Sequence, residues 1–141
     1  MIFKSKSAVQ TEQFASEFAK GLKSGDFIAF YGELGSGKTA FVRGLAKALC
    51  PDARISSPTY AIVNEYIGQP SIFHFDMYRI SDDDSLYSTG FYDYFDRDGI
   101  IAVEWCENIP FGLPKHYYKV VFHKGIVEDE RIITIDRIEE K

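Results

Sequence analysis

The sequence predicts an α/β domain of three layers, with a mixed sheet and added antiparallel edge strands. Three observations carry this. Apolar runs of strand length alternate with patterns of helical period through the first part of the chain. The run Ile100-Ile101-Ala102-Val103 is apolar without a break, as in a strand buried on both faces. The final segment reads as a hairpin. At 141 residues, 45% of them hydrophobic and 26% charged, the chain is expected to form one domain over 1–141.

The elements follow in order. Thr11 is the expected N-cap of a first helix, with Glu12 in its first turn and Phe14, Ala15, Phe18, Ala19 and Leu22 on one stripe. Ser24-Gly25-Asp26 ends it before an apolar strand over 27–31. A second helix over 40–49 sets Phe41, Val42, Leu45, Ala46 and Leu49 on one face and stops at Cys50-Pro51. Residues 61–66 and 72–76 read as strands around Gly68-Gln69-Pro70. From Ser81 to about Phe95 the chain is helical or irregular, with Asp82-Asp83-Asp84 as a helix N-terminus on a solvated face. The strand over 100–103 follows, then a loop marked by Pro110 and Pro114, then strands over 117–123 and 131–136.

Between the first strand and second helix stands Gly32-Glu33-Leu34-Gly35-Ser36-Gly37-Lys38-Thr39, which fits G-x-x-x-x-G-K-[ST] at every fixed position. Glycines let successive N–H groups point at phosphate oxygens, and the helix that follows adds its positive end. Lys38 would reach the β- and γ-phosphates, and the Thr39 hydroxyl would ligate Mg²⁺. Strand, glycine loop and helix are the context the motif requires. The expectation is a P-loop NTPase-like domain that binds a nucleoside triphosphate.

Such a loop needs a further acid at the end of a neighbouring buried strand. Glu104 follows the 100–103 run, the Walker B form with Glu in place of Asp, and Asp76 ends the 72–76 strand. Ser57-Pro58-Thr59-Tyr60 reads either as a turn or as a nucleotide-sensing switch with Thr59 at the γ-phosphate. His74 by itself reads as structural, and Trp105 as core or as an exposed aromatic anchor.

Sixteen basic against twenty-one acidic residues argue against broad binding to a DNA or RNA backbone, but leave RNA work through a partner open. Cys50 and Cys106 have no metal-site spacing and read as reduced thiols. No apolar run approaches the ~18 residues of a membrane span, and the N-terminus lacks a secretory stretch. A soluble, cytoplasmic protein is expected.

Together these blocks resemble the bacterial TsaE (YjeE) family, small ATPases of tRNA threonylcarbamoyladenosine biosynthesis. The resemblance rests on the Gly32 to Thr39 loop with Phe41 and Arg43-Gly44, then Ser57-Pro58-Thr59-Tyr60, then His74-Phe75-Asp76-Met77-Tyr78-Arg79, the segment from Gly90 to Phe95, and Glu104-Trp105. It implies Mg²⁺-dependent, slow ATP hydrolysis that supports formation of threonylcarbamoyladenosine at position 37 of tRNAs, in association with TsaD and TsaB, with tRNA met only through that complex. It further implies that Glu33, Leu34, Gly35, Ser36, Gly37, Lys38 and Thr39 hold ATP and that Thr39 and Glu104 hold Mg²⁺. Asp76 would sit at the γ-phosphate, Thr11 near the adenine and Arg131 beside the nucleotide. The chain departs from the family in having Cys106 where members often carry Pro, and aspartates rather than glutamates after Arg79.

Other readings stay open at this point. Asp76 and Arg79 would also serve a small-molecule kinase of nucleoside type, although the length leaves little room for a lid. A GTP-dependent switch lacks any N-K-x-D block. A module whose nucleotide only stabilises an interface remains the non-enzymatic option.

Overall fold

The computed structural model describes residues 1–32, 37–56, 58 and 62–140. Its strands are β1 (Ile2–Ser5), β2 (Phe27–Tyr31), β3 (Val63–Tyr66), β4 (Ile72–Asp76), β5 (Ile100–Glu104), β6 (His116–Lys124) and β7 (Arg131–Glu139). The helices are α1 (Ala8–Ala19), α2 (Lys38–Leu49) and α3 (Asp83–Ser88), with a 3-10 segment at Phe91–Asp96. The strands form one sheet in the order β1-β7-β6-β2-β5-β4-β3. Strands β6, β2, β5 and β4 run parallel, while β7 and β1 extend one edge and β3 the other, all antiparallel. Antiparallel edge strands were expected; they stand at both edges.

Alternation along the strands builds two cores. Ile28, Phe30, Ile72, Ile100, Ala102, Val120 and Phe122 face α1 and α2, where they meet Ala15, Phe41, Val42 and Leu45. Phe27, Ala29, Phe73, Phe75, Ile101 and Val103 face the other way, against Met77, Leu86, Phe91 and Ile109. The ring of Phe41 is central to the first core, with the rings of Phe14, Phe18, Phe30 and Phe122 at 6.2, 6.0, 5.5 and 5.7 Å. The 100–103 run is thus buried on both faces, as its composition requires.

The start of α1 corrects the sequence reading. Its N-cap is Ser7, whose side chain accepts from the Gln10 amide. Thr11 lies one turn inside, buried, and its hydroxyl meets Ser5 Oγ at 2.7 Å. Since Ser5 Oγ spends its proton on the Ser7 carbonyl at 2.7 Å, Thr11 is the donor. Strand β1, which the sequence did not announce, creates that buried corner. Asp82 does cap α3, in a capping box closed by Ser85.

Helices α1 and α2 pack at close range because Gly44 has no side chain. A Cβ there would lie 2.3 Å from the Glu12 carbonyl oxygen and 2.7 Å from the Ala15 Cβ. The contact is tied by Ser16 Oγ, which donates to the Gly44 carbonyl at 2.7 Å. Both cysteines are free and buried, and burial pushes both thiols up. Among the described residues no helix is long and apolar enough to cross a membrane.

Candidate nucleotide site

Parallel strands deliver their C-terminal ends to one side of the sheet, and the candidate residues gather there. Strand β2 ends at Tyr31, and Gly32 follows with φ 137°. Gly37 caps α2 with φ 105°, a left-handed conformation that a side chain would strain. The N-terminus of α2 follows the loop with no acid in its first turn, so no carboxylate of that turn would oppose an anion there. Residues Glu33, Leu34, Gly35 and Ser36 lie outside the described residues.

Lys38 is only 4% exposed. Its Nζ donates to the Gly32 carbonyl at 2.8 Å and stands 4.4 Å from the centre of the Trp105 ring. A buried ammonium held by a carbonyl and an indole, both neutral, is suited to phosphate oxygens. Thr39, next along, is half-buried.

Asp76 and Glu104 are register partners at the ends of β4 and β5, 9% and 7% exposed. Asp76 Oδ1 accepts from the Tyr78 amide at 2.9 Å, which orients the carboxylate. Glu104 Oε2 lies 2.6 Å from His74 Nε2. Among the described residues no three His, Cys, Asp or Glu side chains converge on a metal site. That donor set fits Mg²⁺, which takes one or two protein oxygens and completes its shell with phosphate and water.

Trp105 packs, partly buried, against the second core. It is half-buried with φ 60°, and its ring packs 5.0 Å from that of Tyr78 besides covering Lys38. Strain at a non-glycine residue is a mark of functional sites. His74 is fully buried and hydrogen-bonded, as a structural histidine would be. Alternation alone sets it on the face of Asp76, but only the β4–β5 pairing shows that this face carries Glu104.

Thr11 and Arg131 come together in one corner. Arg131 pairs in register with Ser5, whose hydroxyl holds Thr11. A Cβ on Gly37 would stand 3.8 Å from Arg131 Cγ, so this corner borders the loop's end. Arg131 Nη1 donates to the Glu128 and Glu130 carbonyls. Thr59, with Ser57 and Tyr60, lies outside the described residues.

Residues 5–133 match the family model for threonylcarbamoyl adenosine biosynthesis protein TsaE. The chain belongs to the TsaE family. A TsaE from Bacillus subtilis is 35% identical over 130 residues, 92% of this chain and 80% of that protein. One from Aquifex aeolicus is 43% identical over 105 residues, 72% of this chain and 73% of its own. Both carry the name tRNA threonylcarbamoyladenosine biosynthesis protein TsaE. The crystal structure of Bacillus subtilis YdiB superposes with a TM-score of 0.79 at 29% identity, covering 98% of this chain and 84% of that one. This member of the TsaE family thus has the P-loop NTPase-like fold expected from its loop.

Proposed function

We propose that the chain is a Mg²⁺-dependent, slowly hydrolysing ATPase that supports formation of threonylcarbamoyladenosine at position 37 of tRNAs, together with TsaD and TsaB. The observation that carries this reading is a buried Lys38 at the start of α2, which follows β2 at the same end of the parallel strands as the paired strand-end acids Asp76 and Glu104. Lys38 and the N–H groups of the loop stabilise negative charge on the γ-phosphoryl, the dominant contribution in such chemistry. Asp76, oriented by the Tyr78 amide, holds the attacking water in line. Thr39 and Glu104 hold Mg²⁺, and Thr59 senses the γ-phosphate. When bound, Mg²⁺ neutralises charge on the phosphate oxygens. The corner of Thr11 and Arg131 faces the nucleoside end. The cytoplasm is the matching compartment, and tRNA is met through the partner complex rather than directly.

The test is an ATPase assay with and without TsaD and TsaB, with tRNA modification read alongside. Lys38→Ala should abolish nucleotide binding or turnover. Asp76→Ala should leave binding within a few-fold and lower turnover about 100-fold or more. Full activity in Lys38→Ala would remove the loop assignment, and wild-type turnover in Asp76→Ala, alone and with partners, would remove its role.

A further inference from the structure

Two buried polar side chains form a continuous line behind Glu104. His74, fully buried in β4, sets Nε2 at 2.6 Å from Glu104 Oε2 and Nδ1 at 3.1 Å from Tyr66 Oη. Tyr66, 3% exposed in β3, donates its hydroxyl to the Ser56 carbonyl at 2.7 Å. The Ser56 amide approaches the same oxygen at 3.4 Å, and Asn64 Nδ2 donates to the Ser56 carbonyl and hydroxyl, both at 3.1 Å. The backbone at Ser56 and strands β3, β4 and β5 are thereby joined.

We propose that Tyr66 and His74 are positioning residues that fix the rotamer of Glu104 for Mg²⁺ by anchoring it to the Ser56 backbone. This inference rests on Glu104 holding Mg²⁺, as proposed above. A carboxylate on a glutamate has three rotatable bonds, and the contact with His74 selects among their rotamers. Engaging Oε2 with an immobile imidazole leaves Oε1 as the oxygen that turns outward. The imidazole is immobile because its second nitrogen is held and its ring is sealed in the core. Histidines and carboxylates behind metal ligands act in this way, and their loss typically weakens metal binding about 10- to 100-fold. A buried imidazole needs partners for both nitrogens whatever its role, so the distinguishing feature here is which groups supply them. Here each polar end of the line is engaged, and the line points at the acid that Mg²⁺ requires.

The test measures binding of Mn²⁺, a paramagnetic stand-in for Mg²⁺, to the protein–ADP complex by electron paramagnetic resonance. His74→Leu should weaken Mn²⁺ about 10- to 100-fold, while ADP affinity without metal stays within about twofold. His74→Gln, whose amide can still donate to Glu104, should recover most of the loss. Tyr66→Phe keeps the buried ring and should weaken Mn²⁺ several-fold, with kcat falling more than KM rises. Unchanged Mn²⁺ affinity in Tyr66→Phe and in His74→Leu overturns the proposal. If His74→Leu does not fold, a Tyr66→Phe protein that binds Mn²⁺ as wild type overturns it alone. Glu104→Gln separates the two claims. If it leaves Mn²⁺ affinity intact, the metal assignment fails; if it weakens Mn²⁺ while the Tyr66 and His74 variants do not, only the positioning role fails.

Discussion

Lys38 holds its ammonium between the Gly32 carbonyl and the Trp105 indole, two partners that a triphosphate would replace with stronger ones. Trp105 is the single tryptophan of the chain, so its emission reports on this one contact. Adding ATP should change the intensity or wavelength of that emission in wild type, and the change should vanish in Lys38→Ala. At this scale the sequence was informative about Lys38, Asp76 and Glu104, because each stands at a junction that hydrophobic runs mark out. It did not show the partners of His74 and Trp105. His74 meets Tyr66 of β3 and Glu104 of β5 while Trp105 meets Lys38 of α2, and one sequence gives neither the register between β4 and β5 nor the approach of that helix.

Gly44 shows how an element's packing is held by one missing atom. In Gly44→Ala the new Cβ meets the backbone of α1 rather than a flexible side chain, so one helix must move. The variant should lose about 1–3 kcal/mol, read as a lower denaturation midpoint at unchanged slope. The β3 edge carries a pH-dependent pin. Arg97 gives Glu65 two hydrogen bonds, at 2.7 and 3.0 Å, and these hold its carboxyl below the usual range. A depressed folded pKa means stabilisation that is complete above the unfolded value and lost as pH falls through the folded one. Melting temperature followed from about pH 6 to about pH 3 should therefore drop less steeply in Arg97→Ala than in wild type, by a small margin that salt reduces. Helix starts and short strands were the least legible elements. Ser7 and Thr11 are both good caps, and the choice between them is made by β1, four residues whose strand geometry exists only through pairing with β7.

Across the whole molecule, sheet class and layer number were legible because buried parallel strands and an amphipathic helix leave opposite signatures. The strand order was not, since β6 joins β2 from the far end of the chain. That order has a consequence for the way the molecule opens. Strands β2 and β5 have neighbours on both sides and apolar cover on both faces, while β1 and β3 form the two borders. Fluctuations that release a border strand leave the β2–β5 pair untouched, so amides there exchange with solvent only when the entire fold is lost. The loop springs from one of these strands and Glu104 ends the other. The floor of the proposed phosphate site therefore belongs to the last part of the protein to come apart, and the line from Ser56 through Tyr66 to the first that frays.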